Sequence, residues 1–233
     1  MVRRFVRQKF GSGGLVVALV VLALVEVLNI AAHGMPGAFS VANWAIFVLA
    51  AGSVSRDVSS GALQMILSRP IRRTQYLFGR YVGILAAYAT FLVATLLLAQ
   101  IVVRLLPHSA GAPRPALPAG GLAAAAGGAF FSAALQAAIL LFFSTFLPGI
   151  ADLLGLLLLF LVLNLPRAAS AAWLRTAAET ARENMLPEVS WDAVLRGDGV
   201  LGAATGRWLF ALTVYLTMAA VVFSRRELPY GQE

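Results

Sequence analysis

Ionisable and amide side chains are scarce in the apolar runs of this chain, so the few that lie inside them stand out. Glu26 and Asn29 are three residues apart on one helical face within the run from Leu15 to Ala32. Asn43, Gln100 and Gln136 lie in other apolar runs. A carboxylate in hydrocarbon costs about 2.5 kcal/mol or more, so Glu26 has to face a packed bundle or a wet cavity. Two roles fit. The five residues can line a polar path through the bundle, or Glu26 can reach Asn43, Gln100 or Gln136 in an interhelical hydrogen bond that holds helices together. Asp152 follows the Pro148-Gly149 break, where an acid complements a helix N-terminus, and is read as a cap.

Other chemistry is excluded by what is missing. The chain has no cysteine, hence no disulfide, thiolate metal site or cysteine nucleophile. A phosphate-wrapping Walker loop needs Gly-Lys-Ser/Thr, and the only lysine, Lys9, follows Gln8. No Ser/His/Asp constellation or Gly-rich nucleotide fingerprint occurs, and His33 and His108 are isolated loop residues rather than a metal pair. The expectation is a chain that is not an enzyme, with no catalytic residue, metal ligand or cofactor of its own.

The elements that must position the polar residues are membrane spans. Of 233 residues, 60% are hydrophobic and 12% charged, with a mean hydropathy of +0.85. A helix needs about 20 apolar residues to cross a ~30 Å hydrocarbon layer. Apolar blocks at about 15–32, 39–54, 79–106, 119–146, 150–165 and 200–223 give an all-α polytopic membrane protein of six spans in one domain, 1–233. The fourth is rich in Gly and Ala, from Gly120 to Gly128, and is expected inside the bundle, where small side chains let backbones approach. Pro107 to Pro118 forms a loop with four prolines. Short interfacial helices are expected at Val2 to Phe10, Arg167 to Asn184 and Ser190 to Leu195. Trp44, Trp173, Trp191 and Trp208 lie near expected span ends and are read as interfacial anchors.

The net charge of +8 comes from basic residues clustered at the ends of apolar blocks, which topology and lipid headgroups explain without nucleic acid. The N-terminus, residues 55–80 and the tail hold eleven Lys and Arg, and the opposite side holds seven. Four of those seven fall in segment 166–199, where five acidic residues outnumber them. Both termini are therefore expected in the cytoplasm, with 166–199 external, as in an integral protein of a bacterial inner membrane.

The most informative stretch is Ser55 to Gly83, with a polar, basic segment at 55–78. Ser59 or Ser60 can cap a short helix whose Leu63, Ile66 and Leu67 share one face, and Pro70 ends it. Thr74 offers a second start, and Gly79 with Gly83 forms a small-xxx-small face on the following span. A short amphipathic helix held between two spans suits docking into a groove on a soluble partner.

This segment resembles the signature region of ABC type-2 permeases, the membrane subunits of ATP-binding-cassette exporters. Asp57 stands at that family's acidic position, Gly61-Ala62-Leu63 at its Gly-Thr-Leu and Ile66-Leu67-Ser68-Arg69-Pro70 at its Leu-Leu-Ser-x-Pro. Arg73 stands at the basic position and Phe78-Gly79-Arg80 at the entry to the third span. Asp for Glu, Ala for Thr and Arg for Lys are the departures. The resemblance implies a cytoplasmic coupling helix that meets a separate ATPase through Asp57, Gly61, Leu63, Gln64, Ile66, Leu67, Ser68, Arg69, Pro70 and Arg73. It also implies two ATPase subunits that hold ATP and Mg, and pairing with a second copy or a sister permease. Glu26, Asn29, Asn43, Gln100 and Gln136 then become a candidate translocation path. Rival expectations are a subunit that transmits force to an external accessory protein through 166–199, a non-ATPase structural subunit, and an ion-coupled carrier using Glu26.

Overall fold

The computed structural model describes residues 13–33, 39–51, 53–54, 57, 72–105, 119–147, 151–164, 172–187 and 202–225. Every regular element among them is an α-helix: α1 Gly13–His33, α2 Trp44–Ala50, α3 Arg73–Leu105, α4 Ala119–Ser144, α5 Ala151–Asn164, α6 Ala172–Met185 and α7 Ala203–Arg225. Four stretches, Gly13–Ala32, Arg73–Val102, Gly120–Ser144 and Ala204–Arg225, are long and apolar enough to cross a membrane. At 1.5 Å per residue each reaches about 30 Å or more, which suits a bilayer and makes the chain an integral membrane protein.

The other two expected spans take a different form. The run 39–54 is a turn followed by α2, only 7 residues long, or about 10 Å. The run 150–165 contains α5, 14 residues long, or about 21 Å. Runs of apolar residues cannot by themselves distinguish a span from a shorter helix buried in protein, and α2 is the latter. Phe39, Ala42, Ala45, Ile46, Leu49, Ala50 and Val54 are all buried.

Helix α4 forms the centre of the bundle, packing against α2, α3, α5 and α7. Its interior position matches the expectation from its small residues: Ala133, Ala134, Ala137 and Ala138 are buried, while a side chain at Gly120 would meet open space. Trp208 also departs from its expected place at the interface. It is buried, donates from Nε1 to the Phe131 carbonyl at 3.2 Å and sets its ring edge-on to Phe131. Trp44 and Trp173 are exposed, as anchors require.

Helix α3 begins six residues before the expected start at Gly79. Its cap is not Thr74: the Gln75 side chain reaches back to accept from the Arg72 N–H at 3.2 Å, as in half of a capping box. The expected interfacial helix at 167–184 corresponds to the amphipathic α6, whereas the helices expected at 2–10 and 190–195 and the core of the coupling helix, 61–70, lie outside the described residues.

One glycine has a steric reason. A Cβ at Gly155 would stand 2.8 Å from Phe143 Cδ1 and 2.9 Å from Leu147 Cδ1, so α5 closes on α4 only because no side chain is there. Gly155→Val should cost about 1–3 kcal/mol by overpacking, read as a lower midpoint in detergent unfolding. Gly206→Ala, which meets no neighbour, should be neutral or stabilising by up to about 1 kcal/mol.

Candidate functional site

Two clusters of polar side chains in the bundle share α3. The first surrounds Glu26. The chain re-enters helix through a turn at 39–43, where Trp44, Ala45 and Ile46 donate to the carbonyls three residues back. Phe39 in this turn has a φ of 63°, the left-handed region that costs a non-glycine residue about 1–2 kcal/mol. The fully buried Glu26 carboxylate answers both demands. Its Oε1 accepts from the Phe39 N–H and its Oε2 from the Ala42 N–H, each at 2.6 Å. A carboxylate thus satisfies two donors at the entry to a helix, the charge arrangement that the helix dipole favours.

The neighbours of Glu26 extend this arrangement. Asn29, one turn along α1, donates from Nδ2 to Ser40 Oγ at 3.0 Å. Tyr88 on α3 donates to Asn43 Oδ1 at 3.2 Å. Beyond α2, the Val54 N–H donates to Ser144 Oγ on α4 at 3.2 Å. Three of the five residues of the expected polar path, Glu26, Asn29 and Asn43, are therefore brought to one turn. Gln100 is half-buried on α3, and Gln136 on α4 donates to Ser132 Oγ. Neither is joined to Glu26 by a hydrogen bond among the described residues. Glu26 bonds backbone instead of Asn43, Gln100 or Gln136, the amides considered as its partners.

The second cluster lies at the start of α3. Asp57 is buried, pairs with the Arg80 guanidinium and accepts from the Tyr76 hydroxyl. Arg80 Nε also donates to the Tyr76 oxygen at 3.2 Å, and its guanidinium carbon lies 5.6 Å from the centre of the Tyr76 ring. The same ring stacks on Phe223 of α7 at 5.8 Å. Arg73 completes the cluster, donating to the Phe223 and Ser224 carbonyls at 3.5 and 3.1 Å. These carbonyls belong to the last turn of α7, where a cation is favoured.

Of the ten residues expected to meet a partner, Asp57 and Arg73 are thus engaged within the bundle itself, and Gly61, Leu63, Gln64, Ile66, Leu67, Ser68, Arg69 and Pro70 lie outside the described residues. Sequence reasoning missed Tyr76, Tyr88 and the ion-pairing role of Arg80. The available signal was Tyr76 and Arg80, four residues apart on one helical face at the end of an apolar span. Asp152 behaves as expected, its Oδ1 accepting from the Leu153 N–H at 2.9 Å in the first turn of α5.

Both clusters can be tested by stability. Glu26→Gln should destabilise by about 1.5–3 kcal/mol, the range for hydrogen bonds to a charged group. Faster hydrogen exchange at the Phe39 and Ala42 amides would localise the loss. Asp57→Ala should cost about 3–5 kcal/mol because it strands buried Arg80, and Asp57→Ala with Arg80→Met should recover much of it. Additive losses would show that the two are not a pair. Comparison of the chain with protein-family models, curated proteins and solved structures gives no match.

Proposed function

We propose that this chain is the permease subunit of an ABC type-2 exporter, coupling ATP hydrolysis by a separate ATPase to the movement of a substrate across a bacterial inner membrane. On this reading the chain makes six passages through the membrane, two of them by the segments 39–54 and 150–165, whose helices α2 and α5 are too short to cross alone, and both termini lie in the cytoplasm. It pairs with a second copy or a sister permease, binds two ATPase subunits that carry the ATP and Mg, and has no catalytic site of its own.

The observation that carries the proposal is the way the motif-bearing segment is fastened. Its order of Asp57, Gly61-Ala62-Leu63, Leu67-Ser68-Arg69-Pro70 and Arg73 is that of the family's coupling region. At one end Asp57 is tied to Arg80 and Tyr76 of α3, and at the other Arg73 holds the last carbonyls of α7. A loop that served only as a positive-inside signal would need arginines but no such attachments. A push delivered between residues 57 and 73 would reach two long helices at once, through a charged pair and a capped helix end.

The geometry of Glu26 weighs among the rivals. Both of its oxygens already accept from backbone N–H groups at 2.6 Å. An ion-coupled carrier would have to break those bonds in every cycle, so the structural role is favoured over an ion site. A subunit that transmits force to an external partner keeps the same ATPase contact and differs only in what moves.

The full chain, expressed with its native partners and purified in mild detergent, should bring down a soluble ATPase with a Walker motif. Leu67→Glu, which puts a charge on the apolar face of the segment, should abolish that association while leaving the amount of the chain in the membrane unchanged. Copurification with membrane-spanning partners alone would overturn the coupling reading.

A further inference from the structure

Helix α5 is too short for the bundle it belongs to. Gly155 lies against Phe143 and Leu147, so α5 begins level with the end of α4. From Gly155 to Asn164 it rises about 14 Å, and any tilt shortens that reach. Its end is set by the sequence, since Pro166 disfavours helix at the residue before it and Arg167 follows. Between Asp152 and Asn164 the apolar run Leu153 to Leu163 covers only about 16 Å of a ~30 Å hydrocarbon layer.

The neighbouring helices go further. Trp208 meets Phe131 and Tyr215 meets Phe142, so α4 and α7 run side by side in one direction. The height of Asn164 then falls near Gln136 on α4 and between Trp208 and Tyr215 on α7. From that level α4 continues about 25 Å to Ala119, and α7 continues about 12 Å to Ala203. Helix α6 occupies the gap, packing on both α5 and α7 and tied to the start of α7 by Glu183 and Arg207 at 2.7 Å. It buries Ala178 but exposes Arg175, Glu179 and Glu183. Charges held in hydrocarbon at mid-depth are costly, so this face of α6 calls for headgroups or water. Below them Leu154, Leu157, Leu158 and Leu161 of α5 are exposed and apolar, as acyl chains require.

We propose that the bilayer leaflet beside α5 and α6 is thinned, so that phospholipid headgroups descend to the end of α5 and meet the polar face of α6. The surface is a lipid-binding notch and its partner is the headgroup layer itself. A short apolar wall and an amphipathic helix above it match the two zones of a lipid, tail and head, at a depth where α4 and α7 are still within the hydrocarbon span. The inference does not depend on the ATPase-coupled function.

The chain has no cysteine, so single cysteines can carry nitroxide labels without background. Asn164→Cys and Phe210→Cys, both at exposed positions of similar height, would be labelled in the full-length protein in phosphatidylcholine vesicles. Their relaxation would be compared under oxygen, a water-soluble nickel chelate and a lipid with a nickel-chelating headgroup. At Asn164 both forms of nickel should relax the label several-fold more than at Phe210, where oxygen should dominate. Oxygen dominance at both positions would mean a bilayer of full thickness and overturn the proposal. So would protection from all three agents at Asn164, which would mean a protein cover, and relaxation by soluble nickel alone, which would mean water without lipid.

Discussion

A helix that breaks inside a bilayer leaves N–H groups that hydrocarbon cannot satisfy, and the arrangement of this bundle follows from how Glu26 takes two of them. Without that carboxylate the turn at 39–43 would bury two unmet donors beside a left-handed Phe39. With it, the chain can reverse direction within protein and send the 7-residue α2 into the core. There α2 packs on α1, α3 and α4 without having to cross the layer itself. The buried acid is thus the condition for an irregular backbone at membrane depth, which is tolerated only where protein or water surrounds it.

Tyrosines distribute the same logic along α3. Tyr76 reaches Asp57, Tyr81 reaches the Ala134 carbonyl of α4 at 3.2 Å, and Tyr88 reaches Asn43 at the start of α2. Each ring contributes apolar area to the core, and each hydroxyl reaches an acceptor on another element, which suits a medium where every polar group needs a partner. Trp208 does the same from α7 to the Phe131 carbonyl. Dispersion and small-residue contacts bring the helices together, and these bonds set their register, because a shift of one residue along a helix would move each hydroxyl away from its acceptor.

The long helices were legible because a run of twenty apolar residues has few other uses, and the interior place of α4 followed from its small side chains. The short helices were not legible in the same way. Residues 39–54 are as apolar as a span, and what shortens the helix there is a contact to Glu26, thirteen residues before Phe39, which no local pattern encodes. Trp208 misled for a related reason: tryptophan suits an interface and a core equally, and only the position of the Phe131 carbonyl decides. Glu26 was recognisable as a residue that needed a partner. Backbone N–H groups were the partner, and composition gives no sign of where a chain will leave them open. At Asp57 the family motif drew attention outward to a partner protein, while the acid's own bonds run inward to Tyr76 and Arg80.

That inward attachment bears on how a stroke at one face could be felt at the other. Helix α3 carries Tyr76 and Arg80 near its start and Tyr88 about 18 Å further along, where it holds Asn43. A continuous helix of 33 residues transmits displacement with little loss, since its own hydrogen bonds resist compression. Under the proposed function, movement of Asp57 would pull α3 through a buried charge pair, and Tyr88 would carry the movement to the turn that Glu26 secures. Arg73 would bring α7 along by its last carbonyls. The two polar clusters are then the two ends of one lever, and the interactions that stabilise the fold are the same ones through which it would be driven.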